Sequence, residues 1–210
     1  MSRSLELLMK APVLPVLVIE RVEDAVPLAR ALLAGGIPVF EVTLRTEAAL
    51  ESIAAIKAEV EGVHCGAGTV TNKNQVELLE QAKADFAVSP GYSQELGTAL
   101  RLSRIPFLPG VATASELMLC LERGYQCFKF FPAEAMGGTK TLDALAGPFA
   151  EAKFCPTGGI TLDNLKTYLE LPSVVTVGGD WIASRAAIAE GDWAAIEAKA
   201  AQVVALVQES

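Results

Sequence analysis

The chain has 210 residues, 51% of them hydrophobic and 20% charged, which is length and apolar content enough for one large core and too apolar for a disordered chain. A formal net charge of −8 opposes a phosphate backbone or an anionic lipid surface, so no nucleic acid and no membrane is expected as a partner, and any anionic ligand has to be held by local donors. No apolar run approaches the roughly 20 residues of a membrane helix, and the first ten residues lack the apolar stretch and cleavage site of a signal peptide, so a cytoplasmic protein is expected.

Short β-branched runs alternate with amphipathic stretches, and no linker or charge block divides them. After an N-terminal helix, strands are predicted at Val13–Ile19, Val39–Leu44, His64–Val70, Phe86–Ser89, Pro106–Pro109, Cys127–Phe131, Lys153–Thr157 and Val174–Val177. Between the first two, Ala25, Leu28, Ala29, Leu32 and Leu33 repeat at helical spacing, and Gly35-Gly36 ends that helix. Leu50, Ile53 and Ala54 predict a second covering stripe, and Leu162, Leu165 and Leu169 another. Thr113 and Glu116 form a capping box ahead of Leu117 and Leu121, and a last helix runs from Trp193 to Val207. Eight β/α steps predict an α/β fold, a (β/α)8 barrel with an N-terminal helix, as a single domain over residues 1–210. No G-x-G-x-x-G follows an early strand to suggest a dinucleotide fold. In such a barrel the chemistry sits at the carboxyl ends of the strands.

The four cysteines, Cys65, Cys120, Cys127 and Cys155, show no C-x-x-C spacing and read as reduced, buried thiols. A single histidine, His64, argues against a multi-histidine metal site, and neither a metal nor a cofactor is expected.

Strand alternation over Phe40–Arg45 puts Glu41, Thr43 and Arg45 on one face and Phe40, Val42 and Leu44 on the other. The apolar face meets the helices, so the polar one points into the barrel, where Glu41 and Arg45 either pair with each other or serve chemistry. Lys129 is the one charge in the apolar run Cys127–Ala133. Desolvation penalises an ammonium, and the neutral amine it favours is the form that attacks a ketone; the bland alternative is a lysine that snorkels or pairs with a structural carboxylate. Gly158-Gly159 and Gly178-Gly179 follow the last two strands, where bare glycines let backbone N–H groups approach an anion. Gly66-Ala67-Gly68-Thr69 and Ser89-Pro90-Gly91 end two earlier strands in small residues, as a binding mouth or an ordinary loop would.

These segments carry a resemblance. Glu41-Val-Thr-Leu-Arg45, Gly66-Ala-Gly-Thr69-Val, Ser89-Pro90-Gly91, Phe128-Lys129-Phe-Phe131-Pro-Ala-Glu134 and Pro156-Thr157-Gly158-Gly159 occur in that order, and nearly the whole chain resembles the 2-keto-3-deoxy-6-phosphogluconate / 4-hydroxy-2-oxoglutarate aldolase family. The resemblance implies a homotrimeric class I aldolase acting on small 2-keto acids, with Lys129 forming the Schiff base and Glu41 as general acid and base. It also implies that Arg45 and Thr69 lie near the pyruvyl carboxylate, that Pro90, Phe131 and Thr157 line the site, and that Gly158, Gly159, Gly178 and Gly179 help bind phosphate. Many relatives carry serine or threonine where this chain has Asp180. Either Asp180 turns away, as N-cap of a short helix at Trp181, or the substrate is an unphosphorylated acid; the four glycines favour the first.

Two other functions fit parts of the pattern. A decarboxylase or isomerase on the same barrel would use the same lysine, since an iminium stabilises any adjacent carbanion. A non-catalytic binder of anionic metabolites would keep Arg45 and the glycines but has no reason to bury Lys129.

Overall fold

The computed structural model describes residues 2–208, so Met1, Glu209 and Ser210, at the ends of the expected unit, lie outside the described residues. In chain order come α1 (Arg3–Leu8), β1 (Val13–Leu17), α2 (Ala25–Ala34), β2 (Val39–Thr43), α3 (Ala49–Glu59), β3 (His64–Gly68), α4 (Gln75–Gln81), β4 (Ala87–Val88) and α5 (Gln94–Ser103). The second half adds β5 (Phe107–Leu108), β6 (Gly110–Val111), α6 (Ala114–Glu122), β7 (Cys127–Phe130), α7 (Gly138–Ala146), β8 (Lys153–Pro156), α8 (Leu162–Leu169), β9 (Val177–Gly179), α9 (Arg185–Glu190) and α10 (Trp193–Gln208).

Every strand pairing is parallel, in the orders β5-β4-β3-β2-β1-β9 and β6-β7-β8. β5 and β6 are halves of one strand around Pro109, which has no N–H for the ladder; its carbonyl still accepts from Lys129 N at 2.9 Å. The bridges Phe154–Val174 and Thr157–Gly178 join β8 to the β9 side, so the eight strands close into a (β/α)8 barrel. Both faces of β1 and β2 are buried, because helices cover the outside and side chains fill the inside. At the floor, Gly66 leaves room for Phe86, whose ring lies 2.3 Å from where a Cβ would stand.

The helices pack largely as their patterns predict. On α2, Ala25, Leu28, Ala29 and Leu32 are buried and Leu33 is half-buried. Gly35 does more than end that helix: a Cβ there would stand 2.4 Å from Ala200 Cβ, so the bare residue lets α10 close on α2. The Thr113–Glu116 capping box is formed.

Two expectations are corrected. On α3 the buried face is Ala49, Ser52, Ile53 and Ile56, while Leu50 is half-buried and Ala54 exposed; the true stripe runs through a serine that hydrophobicity alone passes over. The eighth strand lies at Val177–Gly179, not Val174–Val177. Only Val174 of the earlier residues makes a bridge, and Val13, Leu14 and Pro15 of β1 set the register against Val177, Gly178 and Gly179.

All four cysteines are free and buried. Burial pushes Cys120 and Cys155 up to about 12, and Cys65 and Cys127 higher still, so these thiols stay protonated at neutral pH and act as core. Among the described residues no helix is long and apolar enough to cross a membrane.

Candidate active site

β2 and β7 stand across the barrel from each other, and their inward side chains meet in its interior. Lys129 Nζ lies 2.8 Å from Glu41 Oε1, with Lys129 7% exposed and Glu41 fully buried. The lysine stem spans the barrel, and its ammonium end also sits 5.5 Å from the centroid of the Phe131 ring. Glu41 fits only because Gly68 on the next strand is bare: a Cβ there would stand 2.9 Å from the carboxylate carbon. Glu41 Oε2 is buried without a hydrogen-bond partner, an acceptor left for a ligand proton.

The partner of Glu41 is therefore Lys129, and the alternative Glu41–Arg45 pair does not form. Arg45 lies just past the end of β2, exposed, and makes no ion pair among the described residues. Its Nε donates to Thr43 Oγ1 at 3.2 Å, and the Thr43 hydroxyl donates to Leu17 O at 2.9 Å. Thr43 thus steers the guanidinium over the cavity. At the end of β3, Thr69 sits in the left-handed region with φ 60°, where an L-residue costs roughly 1–2 kcal/mol. Its hydroxyl has no hydrogen-bond partner among the described residues. Strain of this kind collects where geometry serves a ligand.

On the far wall, Gly158 and Gly159 take φ 102° and 80°, a turn open to glycine alone at little cost. The amides of Gly159 and Ile160 have no acceptor among the described residues. Thr161 then caps α8 with Asn164. Thr157 Oγ1 donates to Cys155 O at 3.3 Å, and a Cβ on Gly178 would stand 2.2 Å from that hydroxyl.

Asp180 is exposed. It does not cap a helix at Trp181, because residues 181–184 form a turn and α9 starts at Arg185, capped by Ser184 Oγ from Ala187 N. Residues 181–184 are not helical, so no helix start is left there for Asp180 to cap.

Lys129, Glu41, Arg45, Thr69, Pro90, Phe131, Thr157, Gly158, Gly159, Gly178, Gly179 and Asp180 all line one cavity of about 370 Å3. Val16, Thr43 and Ile160 line it too. Thr43 was detectable from its place on the Glu41 face; Val16 and Ile160 carry no chemical signal in the sequence. The arrangement sets an amine and a carboxylate at the base of a cleft, with a cation and hydroxyl on one side and unpartnered amides on the other.

The sequence profile of the KDPG and KHG aldolase family matches residues 5–199. The 2-dehydro-3-deoxy-phosphogluconate aldolase of Dickeya dadantii (strain 3937) is 50% identical over 200 residues, covering 95% of this chain and 94% of that one. The KHG/KDPG aldolase of Escherichia coli (strain K12) is 48% identical over 198 residues, covering 94% and 93%. A crystal structure of the KDPG aldolase of Legionella pneumophila, with pyruvate captured at low pH as a covalent carbinolamine intermediate, superposes with TM-score 0.94 at 46% identity, over 97% of this chain and 98% of that one. With this fold and these matches along its length, the chain belongs to the KDPG and KHG aldolase family.

Proposed function

We propose that the chain is a class I aldolase that cleaves 2-keto-3-deoxy-6-phosphogluconate to pyruvate and glyceraldehyde 3-phosphate, and 4-hydroxy-2-oxoglutarate to pyruvate and glyoxylate. The observation that carries this reading is the buried Lys129–Glu41 contact at 2.8 Å. Glu41 takes a proton from Lys129, and the neutral amine adds to the C2 ketone. Glu41 returns the proton to the carbinolamine hydroxyl, which leaves as water and gives an iminium. The iminium is the electron sink: Glu41 takes the C4 hydroxyl proton, the C3–C4 bond breaks, and the aldehyde departs from an enamine of pyruvate. Protonation of the enamine at C3 and hydrolysis of the resulting iminium release pyruvate and restore the lysine. Sink and proton carrier are both side chains, so the chemistry calls for no metal.

In this reading Arg45 and Thr69 hold the pyruvyl carboxylate. Pro90, Phe131 and Thr157 wall the reacting carbons, and Gly158, Gly159, Gly178 and Gly179 face the phosphate. Arg45→Lys keeps the charge but loses the planar fork, so pyruvate affinity should fall while borohydride still traps the imine. Unchanged pyruvate affinity would move the carboxylate to other donors.

Asp180 stands at the phosphate end. Because it is exposed, water screens its charge from a phosphate bound at the glycines. Asp180→Ser should therefore shift the ratio of kcat/KM between phosphorylated and unphosphorylated substrates by less than about tenfold. A larger gain confined to the phosphorylated substrate would put the carboxylate against the phosphate and favour an unphosphorylated natural substrate.

The same reading makes the protein a cytoplasmic homotrimer built from one barrel per chain. Exposed apolar side chains such as Leu102, Met118 and Leu119 are compatible with burial between copies, and light scattering tests the mass. The deciding assay measures pyruvate release from each of the two substrates on one preparation; release from neither refutes the proposal.

A further inference from the structure

Beside the Gly158-Gly159 turn stand two side chains that do not line the cavity, an exposed Glu134 and a buried Tyr168. Tyr168 on α8 is 1% exposed, and its hydroxyl donates to Glu134 Oε1. Burial first, and then this bond, push the phenol up, so it remains a donor through the neutral range. Glu134 in turn grips the glycine turn. Its backbone N–H donates to Gly158 O at 3.1 Å, and its Cγ and Cβ occupy the space a Cβ on Gly159 would need, at 2.6 and 2.7 Å. One helical turn before Tyr168, Asn164 Nδ2 donates to Gly159 O at 3.0 Å.

These contacts fix more than two carbonyls. In a trans peptide the C=O and the following N–H point in opposite directions. Tying back Gly158 O therefore aims Gly159 N–H the other way, and tying back Gly159 O does the same for Ile160 N–H. Both amides lack an acceptor among the described residues, and both residues line the cavity. Between glycines a peptide flip meets little steric resistance, and a flip here replaces a donor with a carbonyl that repels an anion.

We infer that Glu134, anchored by Tyr168, is a positioning residue that holds the Gly158-Gly159 turn with its amides toward the distal phosphate of the substrate. This rests on the aldolase reading for its substrate, and it assigns phosphate selectivity to a pair that touches neither substrate nor lysine.

Tyr168→Phe removes the donor at nearly constant volume. It should raise KM for 2-keto-3-deoxy-6-phosphogluconate about five- to tenfold, the worth of about one ordinary hydrogen bond, with kcat within about twofold. KM for 2-keto-3-deoxygluconate, the same acid without phosphate, should not move. Glu134→Gln keeps an acceptor for Tyr168 and should stay near wild type, whereas Glu134→Ala should behave like Tyr168→Phe and serves in its place if that variant does not fold. Equal losses on both substrates, or a lower Tm with unchanged selectivity, would overturn the inference. Titration with inorganic phosphate separates it from the aldolase reading. If the wild type cleaves neither acid yet binds phosphate more tightly than Tyr168→Phe, only the aldolase reading fails; no phosphate binding, or equal binding, overturns the positioning role.

Discussion

Lys129→Met is expected to lower turnover by at least about 10⁴-fold, as loss of a covalent nucleophile does, and to remove the adduct that pyruvate and borohydride leave on the wild-type chain. Hydride at this strength captures the iminium, so the wild type should carry one reduced pyruvyl group per chain, on the peptide containing Lys129. Peptide mapping separates it from Lys57, which is engaged with Asp85 at 2.7 Å, and from the exposed Lys140. Methionine fills the lysine's space but leaves Glu41 buried without its partner, and breaking such a pair costs about 3–5 kcal/mol. A lower Tm is thus expected, and the double variant Lys129→Met/Glu41→Gln should recover most of it with none of the activity. That recovery separates loss of chemistry from loss of fold. An adduct on another lysine, or residual activity in a folded Lys129→Met, removes Lys129 from the mechanism.

Glu41→Gln keeps size and hydrogen bonding while removing the carboxylate that contacts Lys129. Turnover should fall about 10²-fold or more. In the proposed mechanism the same proton carrier serves the enamine, so exchange of the pyruvate methyl hydrogens in deuterated water should slow with it. Tm should also fall, since the Lys129 ammonium is left buried beside a neutral amide, although the amide oxygen still accepts from it. A Tm lower by several degrees with near-normal turnover and exchange would make the pair structural.

The polar face of β2 was legible because a period of two leaves no other place for Glu41, Thr43 and Arg45, and Lys129 because an apolar strand has no other charge. What the sequence left open was which cation would meet Glu41. In a linear reading Arg45, four residues on from Glu41, competes with a lysine 88 positions away, and only barrel closure brings that lysine across the interior. The phase of α3 was hidden for a different reason: Ser52 is buried in its face with an unpartnered hydroxyl, whereas Leu50 is partly exposed. Val174–Val177 has the stronger β propensity, yet the strand is completed by two glycines, chosen because Thr157 and Trp181 crowd them. Propensity yielded there to close packing at the site.

The ring of strands is sealed by segments from opposite ends of the chain. Val13 pairs with Val177, and Thr176 Oγ1 donates to Ala11 O across 165 residues. Contacts this distant demand their loop-closure entropy before any of their bonds repays it, so the last seam forms late. Until then β1, buried on both faces in the finished barrel, keeps a free row of N–H and C=O groups along one edge, the template on which other chains pair. At ribosomal rates the edge waits roughly 10–30 s for β9 to emerge. Aggregation is therefore a hazard of the nascent chain, and one arrested before Val177 should depend on chaperones in a way the completed barrel does not.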